Sequence, residues 1–217
     1  IAFSPRCEAI MGEASRLQKL FGAGLVLIHV GETQPDEKAY MEEMIEITGV
    51  NKDQVKIVWE KGNPAKKIIS VAKKEKIDLL IAGALQRENV VKFYFGSIAR
   101  KLIRKSTCSL LMLINPANPA KAFKRIVING TEGDNYAGTI EQGIQLAKLE
   151  KAKRVHIFKG IKLFGLSMAL AGEEETEQDQ EETRRKIVGK EIEEIENILK
   201  GIDTDGLHIN IKVASGK

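Results

Sequence analysis

Aromatic side chains are scarce in these 217 residues: Phe, Tyr and Trp together make up 5%. Cysteine is scarcer still, with only Cys7 and Cys108, far apart and in no C-x-x-C pair. That excludes a disulfide framework and a structural zinc site and fits a reducing cytoplasm. No apolar run approaches the ~18 residues a membrane span needs; the longest, residues 22–30 and 79–85, are strand-sized. An excess of one charge is lacking as well. Lys+Arg 34 against Asp+Glu 30 leaves +4, too mild by itself to argue for nucleic acid. No H-E-x-x-H, Walker A, Ser-His-Asp order or paired-carboxylate pattern stands out, so nothing demands catalysis.

What is present is a chain 43% apolar and 29% charged, enough for a packed core. At roughly 150 residues per domain it makes one large domain or two small ones. Residues 1–3 read as the end of a strand and residues 8–21 as an amphipathic helix, with Ile10, Met11, Leu17 and Leu20 on its buried side. Gly22 and Gly24 stop that helix, and residues 25–30 form a continuous apolar strand of the kind buried on both faces of a parallel sheet. Residues 36–47 are helical, 55–59 a strand, and Gly62-Asn63-Pro64 a turn that opens a helix to Lys76. Strand 79–82, a basic helix 97–104 and strand 110–114 follow, then a Pro/Asn linker at 115–119. This alternation predicts a doubly wound parallel α/β domain over residues 1–118.

After the linker the pattern restarts. RIVIN at 125–129 echoes the opening IAFS, and RVHIF at 154–158 echoes LIHV at 27–30. His29 and His156 are expected at matching places in the two copies, and residues 208–214 echo 55–60. A repeat of this length means two copies of one domain. The second copy, residues 119–217, carries an insertion at about 161–186 and ends before any counterpart of 64–114. With an opening Ile in place of Met, the expectation is that the chain is a fragment of a longer one. The insertion holds an apolar stretch (161–171), then seven acids between Glu173 and Glu182, which read as solvated or disordered. Residues 181–200 read as a charged helix with Ile187, Ile192, Ile195, Ile198 and Leu199 on one side. The insertion is a helical hairpin packing on its own domain, or else a cover or a partner surface.

In an open α/β sheet the binding crevice lies beyond the carboxyl ends of the strands, where the winding reverses. That singles out the loops after residues 1–3 and after Gly83. In the second, Gly96-Ser97 opens a basic helix. Its free backbone N–H groups, hydroxyl and positive dipole end suit a phosphate, or else it is an ordinary serine start. Arg100, Lys101, Arg104 and Lys105 either help hold a phosphate or form a solvated face. Phe93, Tyr94 and Phe95 make the loop a lid or partner surface, or simply pack it down. His29 and His156 have no Cys, Asp or Glu at ligand spacing and read as structural.

The succession of LIHV, Gly62-x-Pro64, Asp78-Leu79-Leu80-Ile81-Ala82-Gly83 and Gly96-Ser97-Ile98-Ala99 resembles the universal stress protein family, and the two copies resemble its tandem-domain members. The resemblance implies adenine nucleotide alpha hydrolase-like domains with sheet order 3-2-1-4-5, the second truncated. It implies an ATP-binding stress-response regulator without substantial catalysis, with Mg only if ATP is bound. Many members use a Gly-x2-Gly-x9-Gly-Ser/Thr loop and an Asp at the end of the first strand. Gly83, Gly96 and Ser97 match that loop, with Ile98 following, while Gln86 replaces its second glycine. The Asp place is Ser4 in the first copy and Asn129 in the second, and Ala2 and Val30 would line the adenine and ribose side. The family's dimers imply pairing through residues 110–114, from Leu110 to Ile114, as a homodimer or an internal pseudo-dimer, with no nucleic acid partner and no membrane span. The Gln86, Ser4 and Asn129 departures favour the other class, a nucleotide-free regulatory or interaction module, such as the cytosolic part of a transporter.

Overall fold

A computed structural model describes residues 1–32, 34–84, 96–131, 133–161 and 177–215. Gln86, the three loop aromatics and most of the apolar stretch of the insertion lie outside the described residues. The chain divides into two units, Ile1–Lys121 and Ala122–Lys217, and both are α/β with parallel strands.

In the first unit, α1 (Cys7–Phe21) ends where Gly22 takes φ 59 and donates its N–H to the Gln18 carbonyl. Glycine adopts that left-handed cap without strain. Strand β1 (Leu25–Val30) follows. Helix α2 (Pro35–Ile47) opens on a capping box between Gln34 and Glu37, with a proline where the first N–H needs no partner. Strand β2 (Val55–Glu60) pairs in parallel with β1, setting Leu25 beside Val55 and His29 beside Trp59. Asn63 caps α3 (Pro64–Lys74) by accepting the Lys66 N–H. Then come β3 (Leu79–Gly83), α4 (Ser97–Lys105) and β4 (Ser109–Leu113), with β3 and β4 forming a second parallel ladder. Cys7 and Met11 of α1, Leu27 of β1 and Met41, Met44 and Ile45 of α2 make the core.

Residues 1–3 do not form the strand expected of them. The Ile1 ammonium donates to the Ile28 carbonyl, one bond of a parallel ladder, but three residues offer too few backbone groups to continue it. The five-stranded order 3-2-1-4-5 is therefore not displayed; the unit holds two two-stranded ladders, β1-β2 and β3-β4.

The second unit comprises β5 (Arg125–Asn129), α5 (Tyr136–Leu149), β6 (Arg154–Ile161), α6 (Glu177–Leu199) and β7 (His208–Ser215). Its strands pair in the order β5-β6-β7. The register sets Ile126, Val155 and Ile209 abreast, then Ile128, Ile157 and Ile211, all packed with α5 and with Ile195 of α6. The other face carries the rows Arg125–Arg154–His208, Val127–His156–Asn210 and Asn129–Phe158–Lys212. Val127 is 71% and Phe158 41% exposed.

This register corrects the expected match of His29 with His156. His29 shares the inner face of β1 with Leu25 and Leu27, whereas His156 faces away from the core of its unit. Side chains alternate along a strand, so an offset that is wrong by an odd number reverses the face. The inward positions of β6 are Val155, Ile157 and Lys159, so the buried polar residue on its inner face is Lys159.

The Lys159 side chain is 2% exposed, lies 2.5 Å from a Glu191 carboxylate oxygen, and also pairs with Glu194. Its ammonium stands 5.5 Å from the centre of the Tyr136 ring. The helix bearing these acids begins at Glu177, so part of the acidic run read as solvated or disordered is helical, with Glu181 and Glu182 exposed. Burial is the largest influence on the Lys159 ammonium and works against its charge. Hydrogen bonds and charge from Glu191 and Glu194 together outweigh it and hold the pKa above the usual lysine value. A raised folded pKa gives stability that is complete below the unfolded value and lost as pH climbs through the folded one. Lys159→Met, which strands two carboxylates, is expected to lower stability in urea by about 2–3 kcal/mol. That deficit should stay constant from about pH 7 to 9 and shrink above about 10.4, the ordinary lysine pKa. A deficit that grows with pH would refute the ion-pair account.

Candidate functional site

The crevice of the first unit is built where the carboxyl ends of β1 and β3 meet the first loop. Ser4 donates its N–H to the Ala2 carbonyl at 2.8 Å, and its own carbonyl accepts the Cys7 N–H that starts α1. The bond from Ile1 to Ile28 sets Ile1 abreast of His29 and therefore Ala2 abreast of Val30. Those two expected lining residues are thus brought together, Ala2 exposed and Val30 half-buried. Ser4 is half-buried and carries no carboxylate into the site.

Sequence reasoning passed over Arg6. Its Nη1 donates to the Ala84 carbonyl at 3.3 Å and to the Ile114 carbonyl at 3.0 Å. The Ala84 N–H in turn donates to the Leu113 carbonyl at 2.9 Å, extending the β3–β4 ladder. One guanidinium therefore ties the first loop to the ends of both strands. The only signal for it was a long cation directly after Pro5 in a loop already suspected.

A ring cluster packs against the core on the inner face of β1. Phe3 stacks on His29 with centroids 4.8 Å apart, Trp59 lies 5.2 Å from His29, and Tyr40 meets Phe3 edge-on at 5.5 Å. The His29 Nδ1 is 3.1 Å from the Ile1 carbonyl, an acceptor, so that nitrogen carries the hydrogen. A Cβ on Gly31 would stand 2.7 Å from the His29 Nε2, which explains glycine there. Cys7 is buried beneath, and burial pushes its thiol pKa up, only partly offset by the Ile1 ammonium. It is poorly suited to act as a nucleophile.

Gly83 and Gly96 have different reasons to be glycine. A Cβ on Gly83 would come within 2.5 Å of the Ile10 Cδ1, so this residue allows α1 to approach. A Cβ on Gly96 would meet nothing within 4 Å. Gly96 is the N-cap of α4 and offers no side-chain cap, and Ser97 and Ile98 after it are exposed. The Arg100 N–H takes the Gly96 carbonyl, while the first-turn N–H groups at 97–99 have no acceptor within the helix. In the second unit Asn129 spends its side-chain oxygen on the Thr131 N–H at 3.1 Å. No group of three His, Cys, Asp or Glu able to hold a metal occurs among the described residues. Nor is any described helix long and apolar enough to cross a membrane.

The model of the universal stress protein family matches residues 1–113. The chain belongs to the universal stress protein family. Among solved structures it is similar to a universal stress protein of Archaeoglobus fulgidus, at 14% identity and a TM-score of 0.59, covering 99% of this chain and 76% of that one. It is also similar to a functionally unknown protein of Pseudomonas aeruginosa, at 18% identity and a TM-score of 0.57, covering 92% and 67%. These likenesses are of fold. No curated protein matches the chain.

In this member of the universal stress protein family, the crevice geometry hangs on Arg6. Arg6→Ala is expected to cost about 1 kcal/mol in urea unfolding, since two carbonyls lose a charged donor at a partly exposed place. Hydrogen exchange should speed up at the Ala84 amide and stay unchanged at the β1–β2 amides. Equal acceleration in both ladders would show that Arg6 supports the whole unit instead.

Proposed function

We propose that the first unit is an adenine-nucleotide-binding regulatory module of the stress response, acting by binding and not by catalysis. The observation that carries this is the uncapped start of α4 beyond β3: first-turn N–H groups without an intrahelical acceptor, an exposed Ser97 hydroxyl, and a glycine that no packing requires. Such a terminus presents donors and a positive dipole end to phosphate. Ser97 and the 96–99 backbone would hold the phosphates, and Ala2 and Val30 would line the adenine and ribose side. Mg would arrive only with the nucleotide. Among the described residues β4 has a ladder partner on one side only, β3, and we assign its free edge to pairing, with a second copy or within the tandem chain. The place of action is the cytoplasm.

A nucleotide-free interaction module is the second reading, favoured by Ser4, which leaves the ribose without a carboxylate partner. Calorimetric titration of the whole chain with ATP, with and without Mg, separates the two. ATP is expected to bind. Ser97→Ala should weaken it roughly three- to tenfold, the worth of about one hydrogen bond. Gly96→Val, whose Cβ meets no atom and so leaves the fold intact, should abolish binding by filling the cradle. An absence of binding heat in the parent protein would establish the second reading.

A further inference from the structure

The helices of the first unit are sorted by charge. α3 packs on β1 from the side away from the α1–α2 core, and α4 packs on α3. Each of these two helices carries four Lys or Arg, and neither carries an Asp or Glu. Helical spacing sets the cations opposite the buried residues. Ala65 and Val71 of α3 and Ala99 and Leu102 of α4 are buried, whereas Lys66, Lys73, Lys74, Lys101, Arg104 and Lys105 are exposed. A side chain opposite the buried stripe points away from the strands whatever stands beside its helix, so this exposure belongs to the layer itself. Glu60, before α3, and Glu75, directly after it, are paired with Lys67 at 2.8 Å and Lys56 at 2.6 Å. Among the described residues, none of the six exposed cations has a carboxylate partner. The opposite layer has the reverse charge: α2 carries five acids against Lys38, and Asp36, Glu42, Glu43 and Glu46 are exposed.

We propose that the α3–α4 layer docks peripherally on the surface of an anionic bilayer. Its outward arc holds lysine, arginine and the serines Ser70 and Ser97. That arc has no amide or ring to read a base edge or to stack on one, and helices packed flat on a sheet do not reach into a groove. A specific acidic polypeptide is held around apolar or aromatic anchors, and the arc has none: Ile98 and Ile103, the exposed apolar residues of α4, flank its buried stripe. The headgroups of an anionic leaflet require only a broad array of cations, each Lys or Arg near the surface being worth about fivefold in partition. The exposed acids of α2 are repelled by the same surface and fix which layer turns to it. Nothing in this contact draws on the nucleotide reading of the crevice.

The test is flotation of the whole chain at low salt with vesicles of phosphatidylcholine, alone or with roughly one-third phosphatidylserine. The chain is expected to float with the anionic vesicles only, and to be released above about 0.5 M salt, where charge is screened within a few ångströms. Lys73→Ala and Lys101→Ala should each weaken partition about fivefold, and Lys73→Glu with Lys101→Glu should abolish it. Neither side chain packs inward, so an unchanged urea midpoint is expected and separates lost contacts from lost folding. Lys38→Ala on α2 and Lys190→Ala on α6 remove the same charge elsewhere and should leave partition as it was. The proposal is overturned if the chain stays behind when anionic vesicles float, if neutral vesicles carry it equally, or if flotation survives the double reversal. It is overturned too if the changes on α2 and α6 weaken flotation as much as those on α3 and α4. A DNA duplex or polyglutamate that strips the chain from the vesicles at a lower charge concentration than theirs also overturns it, for the layer would then serve nucleic acid or an acidic polypeptide.

Discussion

Side chains alternate along a strand, and that single constraint decides which residues of each unit are buried. β1 is apolar on both faces, so helices are needed on both: α1 and α2 build a methionine-rich core on one side and α3 packs from the other. β6 keeps the inner half of that pattern and replaces the outer half with arginine, histidine and phenylalanine.

The same alternation accounts for the two buried polar residues on the inner faces. Each is the third inward residue of its strand, close to the carboxyl end. In the first unit His29 is satisfied locally, by the Ile1 carbonyl and by rings on either side. In the second unit Lys159 brings a charge that no carbonyl could neutralise, and α6 supplies Glu191 and Glu194 against it. Those acids lie one turn before Ile195 and Ile198, which pack into the core. The acid-rich sequence of α6 therefore has a structural role beyond solubility: part of it is the counter-charge of a buried lysine, and without that lysine the helix would have less reason to lie where it does.

Much of the fold was legible because its punctuation is local. Gly22 and Pro64 mark helix boundaries through backbone conformation or a missing N–H, and these effects need no knowledge of the rest of the chain. What escaped depends on distant partners. Arg6 owes its role to carbonyls 78 and 108 residues away. The opposite faces of His29 and His156 cannot be seen in a string, because similar letters in LIHV and RVHIF align while their faces do not. Residues 1–3 have strand-like composition, but composition does not supply the backbone partners that make a ladder. The acidic run reads as solvated or disordered by charge alone; helix continuation from a core-anchored segment and the pairs Glu181–Arg185 and Glu182–Lys186 at i,i+4 draw part of it into α6, still solvated.

The two glycines of the crevice show how packing separates structural from functional residues. Both match the family's loop, and by sequence they carry equal weight. In the fold Gly83 is explained from within, because Ile10 occupies the space a Cβ would need. Gly96 has no such neighbour, and its φ of −57° is open to any residue. At an N-cap, Ser, Asp or Asn would accept a first-turn N–H that glycine leaves unclaimed. Under the proposed nucleotide reading, Gly96 and Ser97 carry the weight of the crevice, and Gly83 is the residue beside which Ile10 of α1 sits.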